Sequence, residues 1–367
     1  MTRRIRIDKA YEIDYSNVCL DLMKRDANQE LDLIMVKIKD VADAAGVSTA
    51  TVSRVLANKP HVRQEVKARV MKVVQELNYR PNRVARSLRS RKSTIIGLIV
   101  SDIENPFFQQ VSRAVEDAAH EMGYSVMLCN NDENPDKEKR YLHLIRDENL
   151  AGVILSPTRQ TADNFSEISD LNIPMAVIDR RVSNGEVDNI LIDNVQAAHT
   201  LATHLIGHGC RRIGAIFGMG STTGRERREG FVRALKEHDL QASSDLVKYA
   251  NPREADGFHT AMKLLALSEP PDAILTSNSL LASGALRALR ENKKKIPQEI
   301  AFASFDETTW AKLIIPALTV IEQPTYEIGR TATELLIKRI EDPTRSTREV
   351  ILKAKLNIRQ SCGCRNN

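Results

Sequence analysis

Polar groups suited to holding a hydroxylated small molecule recur just after the short apolar runs of this chain. Behind Ile95–Val100 comes SDIENPFF, with Asn105, Pro106, Phe107 and Phe108. Behind Met175–Ile178 come Asp179 and Arg180, and behind 212–217 comes GMGSTTGRERREGF, with Arg225 and Arg227. Behind Ala273–Thr276 come Ser277, Asn278 and Ser279, and behind 300–304 come Phe305, Asp306 and Glu307. Carboxylates accept hydrogen bonds from hydroxyls, guanidiniums donate them, amides do both, and an aromatic face covers the apolar side of a sugar ring. Each residue also has a plain structural use. Asp179 and Asp306 are good helix caps after a strand, Phe107 is a good core residue, and Arg227 suits a solvated helix face. Their shared position behind the runs favours binding.

Nothing comparable supports covalent chemistry. Loop 218–230 is glycine-bearing, yet it lacks the Lys-Ser/Thr of a phosphate loop and misses the GxGxxG spacing. His199, His204 and His208 fall on one expected helix without an acid placed to complete a zinc site, which reads as a surface or subunit-facing helix. The five cysteines, Cys19, Cys129, Cys210, Cys362 and Cys364, are odd in number and scattered, and the single C-x-C has no second pair at zinc-site spacing. No metal, no cofactor and no enzymatic activity are implied.

The elements that must position the binding groups follow from the alternation of runs. Short continuous apolar runs, read as strands buried on both faces, alternate with helical stretches at 107–122, 137–149, 197–208, 225–239, 255–267 and 279–291. That alternation builds parallel sheets from βαβ units, and so many strands suggest two sheets. Ligands of such sheets bind in the crevice beyond the carboxyl ends of the strands. A chain of 367 residues has room for two or three domains.

Ahead of this body the stretch IKDVADAAGVSTATVSR, 38–54, reads as two short helices and a tight turn. Val41, Ala42 and Ala45 share one face of the first helix. Gly46 can take the left-handed angles that end it, and Ser48 can cap the second. Val52 and Val55 point inward, leaving Thr49, Ala50, Ser53 and Arg54 outward, as a helix-turn-helix offers side chains to a major groove. A further helix at 65–78, with Val66, Val70, Val73, Val74 and Leu77, closes a three-helix head. Between 36 and 93 there are 14 lysines and arginines against 4 carboxylates, whereas the whole chain is only +5. A basic head on a mildly acidic body is the footprint of phosphate binding. Residues 1–35 carry mixed charge and no motif, and read as an extension, a misassigned start or a functional arm.

GVSTATVSRVL, then LNYRPNRVARSL, then an α/β body: this layout resembles the LacI/GalR family of bacterial transcription regulators, over roughly residues 36–363. The resemblance implies a small all-α helix-turn-helix head (36–81) and a hinge helix with linker (82–93). It also implies a two-subdomain body like the periplasmic sugar-binding proteins (94–367), with crossings near 191, 323 and 350. Subdomain N would hold about 94–191 and 324–350, and subdomain C about 192–323 and 351–367. DNA contact then falls to Ser48 and Ser53 near phosphates, to Thr49, Ala50 and Arg54 in the major groove, and to Asn82, Ala85 and Leu88 of the hinge. Leu88 would wedge into the minor groove, and the Arg54 fork matches the two acceptors of guanine. The effector-contacting positions of the family match Phe107, Asp179, Arg227, Asn278 and Asp306. The match fails at Ser279, where the family usually carries Asp. The terminal Ser361-Cys362-Gly363 also matches.

The function implied is a sequence-specific regulator, a repressor by resemblance. It would bind a pseudo-palindromic operator as a homodimer, or alternatively a tetramer, under a small effector held between the subdomains. Arg180, Arg225 and Arg227 suit an anionic ligand such as a sugar acid or sugar phosphate. A neutral sugar stands beside it, and a purine stacked on Phe107 and Phe108 is a third option. A transport receptor would need a signal peptide, and the N-terminus has no apolar core of that length. No run of about 18 apolar residues spans a membrane, and a cytoplasmic location is expected.

Overall fold

The computed structural model describes residues 36–56, 60, 62–79, 93–182 and 187–363, which fall into two compact units. Expected hinge residues Asn82, Ala85 and Leu88 lie outside the described residues, as do residues 1–35.

The first unit contains α1 (Ile38–Ala45), α2 (Thr49–Leu56) and α3 (Gln64–Glu76). Gly46 ends α1 at φ 61°, with its N–H on the Ala42 and Asp43 carbonyls. Val47 N–H returns to Ala42 O at 3.0 Å, which closes the turn. The Ser48 hydroxyl accepts from Thr51 N–H at 3.2 Å and so starts α2. Val41, Ala42, Ala45, Val52, Val55, Val70 and Val73 make the core, with Val66, Val74 and Leu77 packed against it. A buried core of valine and alanine alone is small, which leaves a head of this length marginal by itself. The third helix stops at Glu76, two residues before the expected end, because Asn78 turns left-handed at φ 46°.

The second unit runs, in order, β1 (Ile95–Val100), α4 (Pro106–Glu121), β2 (Ser125–Asn130), α5 (Pro135–Asp147), β3 (Gly152–Leu155), α6 (Arg159–Asp163), α7 (Ser166–Ser169), β4 (Met175–Ile178) and β5 (Asp188–Ile192). It continues through α8 (Asn194–Gly207), β6 (Ile213–Gly218), α9 (Thr222–Glu237), β7 (Val247–Ala250), α10 (Glu254–Leu265), β8 (Ala273–Thr276), α11 (Ser279–Glu291), β9 (Ala301–Phe305) and α12 (Thr309–Leu313). The last elements are β10 (Thr319–Glu322), α13 (Thr325–Glu341), β11 (Glu349–Leu352) and β12 (Lys355–Asn357).

Two six-stranded sheets result, in the orders β11-β5-β4-β3-β1-β2 and β12-β10-β9-β8-β6-β7. The first is parallel throughout. The second is parallel except at its edge, where β12 runs antiparallel to β10 with Val320 opposite Asn357, so the purely parallel expectation needs that correction. Helices cover both faces of each sheet, and central strands such as Met175–Ile178 and Ile213–Gly218 are buried along their full length. The chain passes between sheets after β5, after β10 and between β11 and β12. The last passage falls beyond 350, because Ile351 and Leu352 still pair with Leu191 and Ile192.

Helix pairs pack unusually closely where glycine permits it. A Cβ on Gly230 of α9 would lie 2.0 Å from Val195 O of α8, and one on Gly284 of α11 would lie 2.0 Å from Glu254 O of α10. Only a residue without a side chain allows such backbone contact.

Candidate functional site: an effector cleft and a DNA-reading face

Between the two lobes of the second unit lies a cleft of about 620 Å³, walled by the loops that follow the strands of both sheets. Phe107, Asp179, Arg227, Asn278 and Asp306 all line it. Each is placed there by a local rule of chain geometry.

On the first lobe, Asn105 accepts from Phe107 N–H at 3.0 Å and Pro106 holds the first helical position, so α4 starts at the cleft wall. The rings of Phe107 and Phe108 meet edge to face at 4.9 Å and 77°. Both belong to the hydrophobic core as well as to the cleft wall. Asp179 leaves β4 at φ 69°, a left-handed angle that turns the chain at the cleft. Burial pushes its pKa up to about 6, against the pull of Arg180 and Arg227.

Arg180, next in the chain, is buried and held by Glu133. Its Nη1 donates to Glu133 Oε2 at 2.8 Å and to Pro157 O at 2.9 Å, and its Nη2 donates to Glu133 Oε1. Its Nε is buried without a hydrogen-bond partner and lies 3.6 Å from Asp179 Oδ2.

On the second lobe, Ser221 caps α9 and the helix directs Arg227 inward. Arg227 donates through Nε to Asn194 Oδ1 at 2.8 Å and through Nη1 to Ser277 O at 2.5 Å, and its guanidinium lies 4.2 Å from the centre of the Phe305 ring. Asn278 caps α11, with Oδ1 accepting from Leu281 N–H at 2.8 Å. Asp306 leaves β9 at φ 74°. Its Oδ2 accepts from Ser279 N–H at 3.1 Å and its Oδ1 from Gln323 Nε2 at 2.7 Å. Asp306 thus caps a neighbouring helix and faces the cleft at once. Where the resembled family carries Asp, Ser279 meets Asp306 through its backbone, and its own hydroxyl is buried without a partner.

The three arginines expected to suit an anionic ligand do not all meet in the cleft. Arg225 does not line the cleft: its side chain is 58% exposed and faces Asp163 at 3.7 Å. Among the described residues the lining holds five carboxylates (Asp102, Asp132, Glu133, Asp179, Asp306) against four guanidiniums (Arg159, Arg180, Arg227, Arg253). The cleft has no surplus positive charge.

Sequence reasoning passed over Glu133, Thr158, Arg253 and Gln323, all of which line the cleft. Each follows a strand end, the rule that found the others. Strands β7 and β10, which deliver Arg253 and Gln323, were not read from the sequence. Of the three histidines expected on one helix, His199 pairs with Glu237 at 2.6 Å, His204 Nε2 lies 3.2 Å from the buried Cys362 Sγ, and the His204 and His208 rings meet at 4.6 Å. Among the described residues no three potential ligands gather as a metal site, and no helix is long and apolar enough to cross a membrane.

In the first unit, Ser48, Ala50, Ser53 and Arg54 are exposed on and before α2, while Thr49 is half-buried. The Ser48 hydroxyl is shared between the cap and the Thr51 hydroxyl at 2.9 Å.

Fold and sites together define a two-lobed small-molecule receptor carrying a helix-turn-helix unit. Residues 37–82 match the family model of bacterial regulatory proteins, lacI family, and residues 202–362 match the periplasmic binding protein-like domain. The chain is 37% identical over 328 residues to the ribose operon repressor of Halalkalibacterium halodurans, covering 89% of this chain and 97% of that protein. It is 33% identical to the transcriptional repressor PurR of Pasteurella multocida, covering 89% and 98%. Among solved structures, it resembles the lac repressor dimer bound to operator and the anti-inducer ONPF (26% identity, TM-score 0.80, covering 89% and 99%). It also resembles the transcriptional regulator CelR in complex with cellobiose (26%, TM-score 0.67, covering 89% and 99%). The chain belongs to the lacI family of bacterial regulatory proteins. It is a DNA-binding transcription regulator, not an enzyme.

Proposed function

We propose that this chain is a cytoplasmic repressor that binds a pseudo-palindromic operator as a homodimer and releases it when a free, uncharged sugar fills the cleft. The observation that carries the sugar reading is the charge balance of the cleft. Its arginines are matched by carboxylates, so it offers many hydrogen-bond donors and acceptors but no surplus positive field. That suits the hydroxyls of a neutral sugar better than a phosphate or an acid. D-ribose is the leading ligand, because a ribose operon repressor is similar over nearly its whole length.

A purine fits less well. Phe107 and Phe108 are each only 5% exposed, so neither offers an open ring face for stacking. On the DNA side, Arg54 takes the guanine contact, Ala50 and Thr49 lie against neighbouring bases, and Ser48 and Ser53 approach phosphates. Asn82, Ala85 and Leu88 serve the hinge. A second copy would cover the apolar surface at Leu313 and Ile315, which are 78% and 98% exposed beside Trp310.

The test is selection of bound DNA from a random library by the full chain, then calorimetry with D-ribose, D-glucose and guanine. A two-fold symmetric site together with ribose binding is the expected result. An asymmetric site would refute the dimer reading, and guanine binding in place of ribose would refute the sugar reading.

A further inference from the structure

We infer that Glu133 sets the charge class of the effector: by neutralising Arg180 it lets the cleft accept an uncharged sugar and reject the anionic forms of the same sugar. The inference rests on the sugar reading above and assigns its selectivity to one side chain.

Arg180 is the deepest cation on the first lobe, with its side chain 6% exposed, while Glu133 is 37% exposed and reaches it from the cleft side. Their contact is two-pronged, so one carboxylate occupies both terminal nitrogens of the guanidinium. A ligand anion seeking Arg180 would have to displace Glu133 or sit beside its charge, and either is costly in a buried setting. A hydroxyl needs neither. It can donate to Asp179, which lines the cleft beside Arg180 with its Oδ2 3.6 Å from the Arg180 Nε.

The placement of Glu133 is built into the fold. Asp132 and Glu133 are consecutive non-glycine residues at φ 55°, a left-handed pair that L side chains rarely adopt. A buried polar scaffold holds the turn. Asn131, fully buried, accepts from Glu133 N–H at 3.0 Å. Its Nδ2 donates to Glu138 Oε2 at 2.9 Å and to Ser156 O at 3.2 Å. Glu138, also fully buried, accepts in addition from Thr158 N–H at 2.7 Å. The scaffold thereby joins the loops behind β2 and β3 and aims Glu133 at Arg180.

The experiment is calorimetry on the full chain with D-ribose, D-ribonate and D-ribose 5-phosphate, which carry the negative charge at neither end or at opposite ends of the sugar. The wild type is expected to bind ribose at least thirtyfold more tightly than either anion. In Glu133→Gln at least one anion gains fivefold or more relative to ribose. Glu133→Asp, which keeps the charge, retains the exclusion. A smaller gain for both anions in Glu133→Gln, with ribose still bound, overturns the Glu133 assignment alone. Loss of the exclusion in Glu133→Asp as well assigns it to side-chain shape and overturns the charge argument. A wild type that binds none of the three removes ribose as the ligand, and this inference with it.

Discussion

Asp179 and Asp306 occupy the same place in the two lobes. Each directly follows the third strand of its six-stranded sheet, β4 and β9, and each is left-handed, at φ 69° and 74°. Both face the cleft. They are not equivalent chemically. Asp306 has a protein donor on each oxygen, Ser279 N–H and Gln323 Nε2, whereas among the described residues the Asp179 carboxylate faces only the distant Arg180 Nε at 3.6 Å. Asp306 is therefore a fixed brace that ties α11 to the passage between lobes at Gln323. Asp179 is the acceptor left for the ligand.

Asp179→Asn should abolish effector binding and stabilise the protein. The folded pKa, about 6, lies above the unfolded value near 3.9. The group's contribution therefore favours the fold below about pH 4 and is lost as pH rises through about 6. At pH 7.5 the ionised, buried carboxylate is a cost that asparagine removes, by roughly 1–2 kcal/mol, or about 2–6 °C in Tm. Thermal melts at pH 4 and 7.5 check this: the gain should appear at the higher pH and vanish at the lower.

The wild type's ligand affinity should fall on acidification for the same reason. An ionised Asp179 accepts two hydroxyl hydrogen bonds and a protonated one accepts fewer. Ribose affinity is expected to weaken several-fold between pH 7.5 and 5.5 in calorimetry, and an affinity that holds at pH 5.5 would contradict Asp179 as the ligand's acceptor.

Gly230→Ala should damage the cleft from a distance. The added Cβ would stand 2.0 Å from Val195 O, a backbone atom of α8 that cannot rotate away. Helix α9 must shift, and with it Arg227, one turn earlier, whose Nε bond to Asn194 spans the same two helices. Destabilisation of roughly 2–4 kcal/mol is expected, with ribose affinity reduced at least tenfold. Denaturant titration and calorimetry measure the two effects.

Arg54→Ala should relax sequence preference without unfolding the head, because Arg54 is exposed on α2 while Val52 and Val55 carry the packing. Loss of one two-pronged guanine contact costs about 1–3 kcal/mol at that base pair. Binding to operators mutated there should become equal to binding to the parent operator, with the salt dependence little changed. An unaltered preference would place the guanine contact elsewhere.

Much of this was legible in the sequence where local chemistry acts alone. Gly46, Ser48 and the valine spacing specify the helix-turn-helix without help from the rest of the chain. The central strands, buried on both faces, announce themselves as apolar runs, and the polar residues behind them follow by rule. Several short strands were not legible, at the edges and inside: β10, between β9 and β12, was passed over although its first three residues are buried. Val247–Ala250 and Glu349–Leu352 alternate buried and exposed positions only weakly over four residues each. Missing β7 hid Arg253. Which charges cancel was also beyond reach. Arg180 and Glu133 are 47 residues apart and meet only because β2 and β4 deliver their loops to one wall. Arg225, two residues from Arg227, looked equivalent to it, yet helical geometry sends the pair to different surroundings.

The most direct test is fluorescence anisotropy of the selected operator bound to the full chain, titrated with D-ribose at pH 7.5. Release, with DNA affinity weakened at least tenfold by saturating ribose and unchanged in Asp179→Asn, is the predicted result. DNA affinity that stays constant in ribose but tightens in guanine would contradict the account.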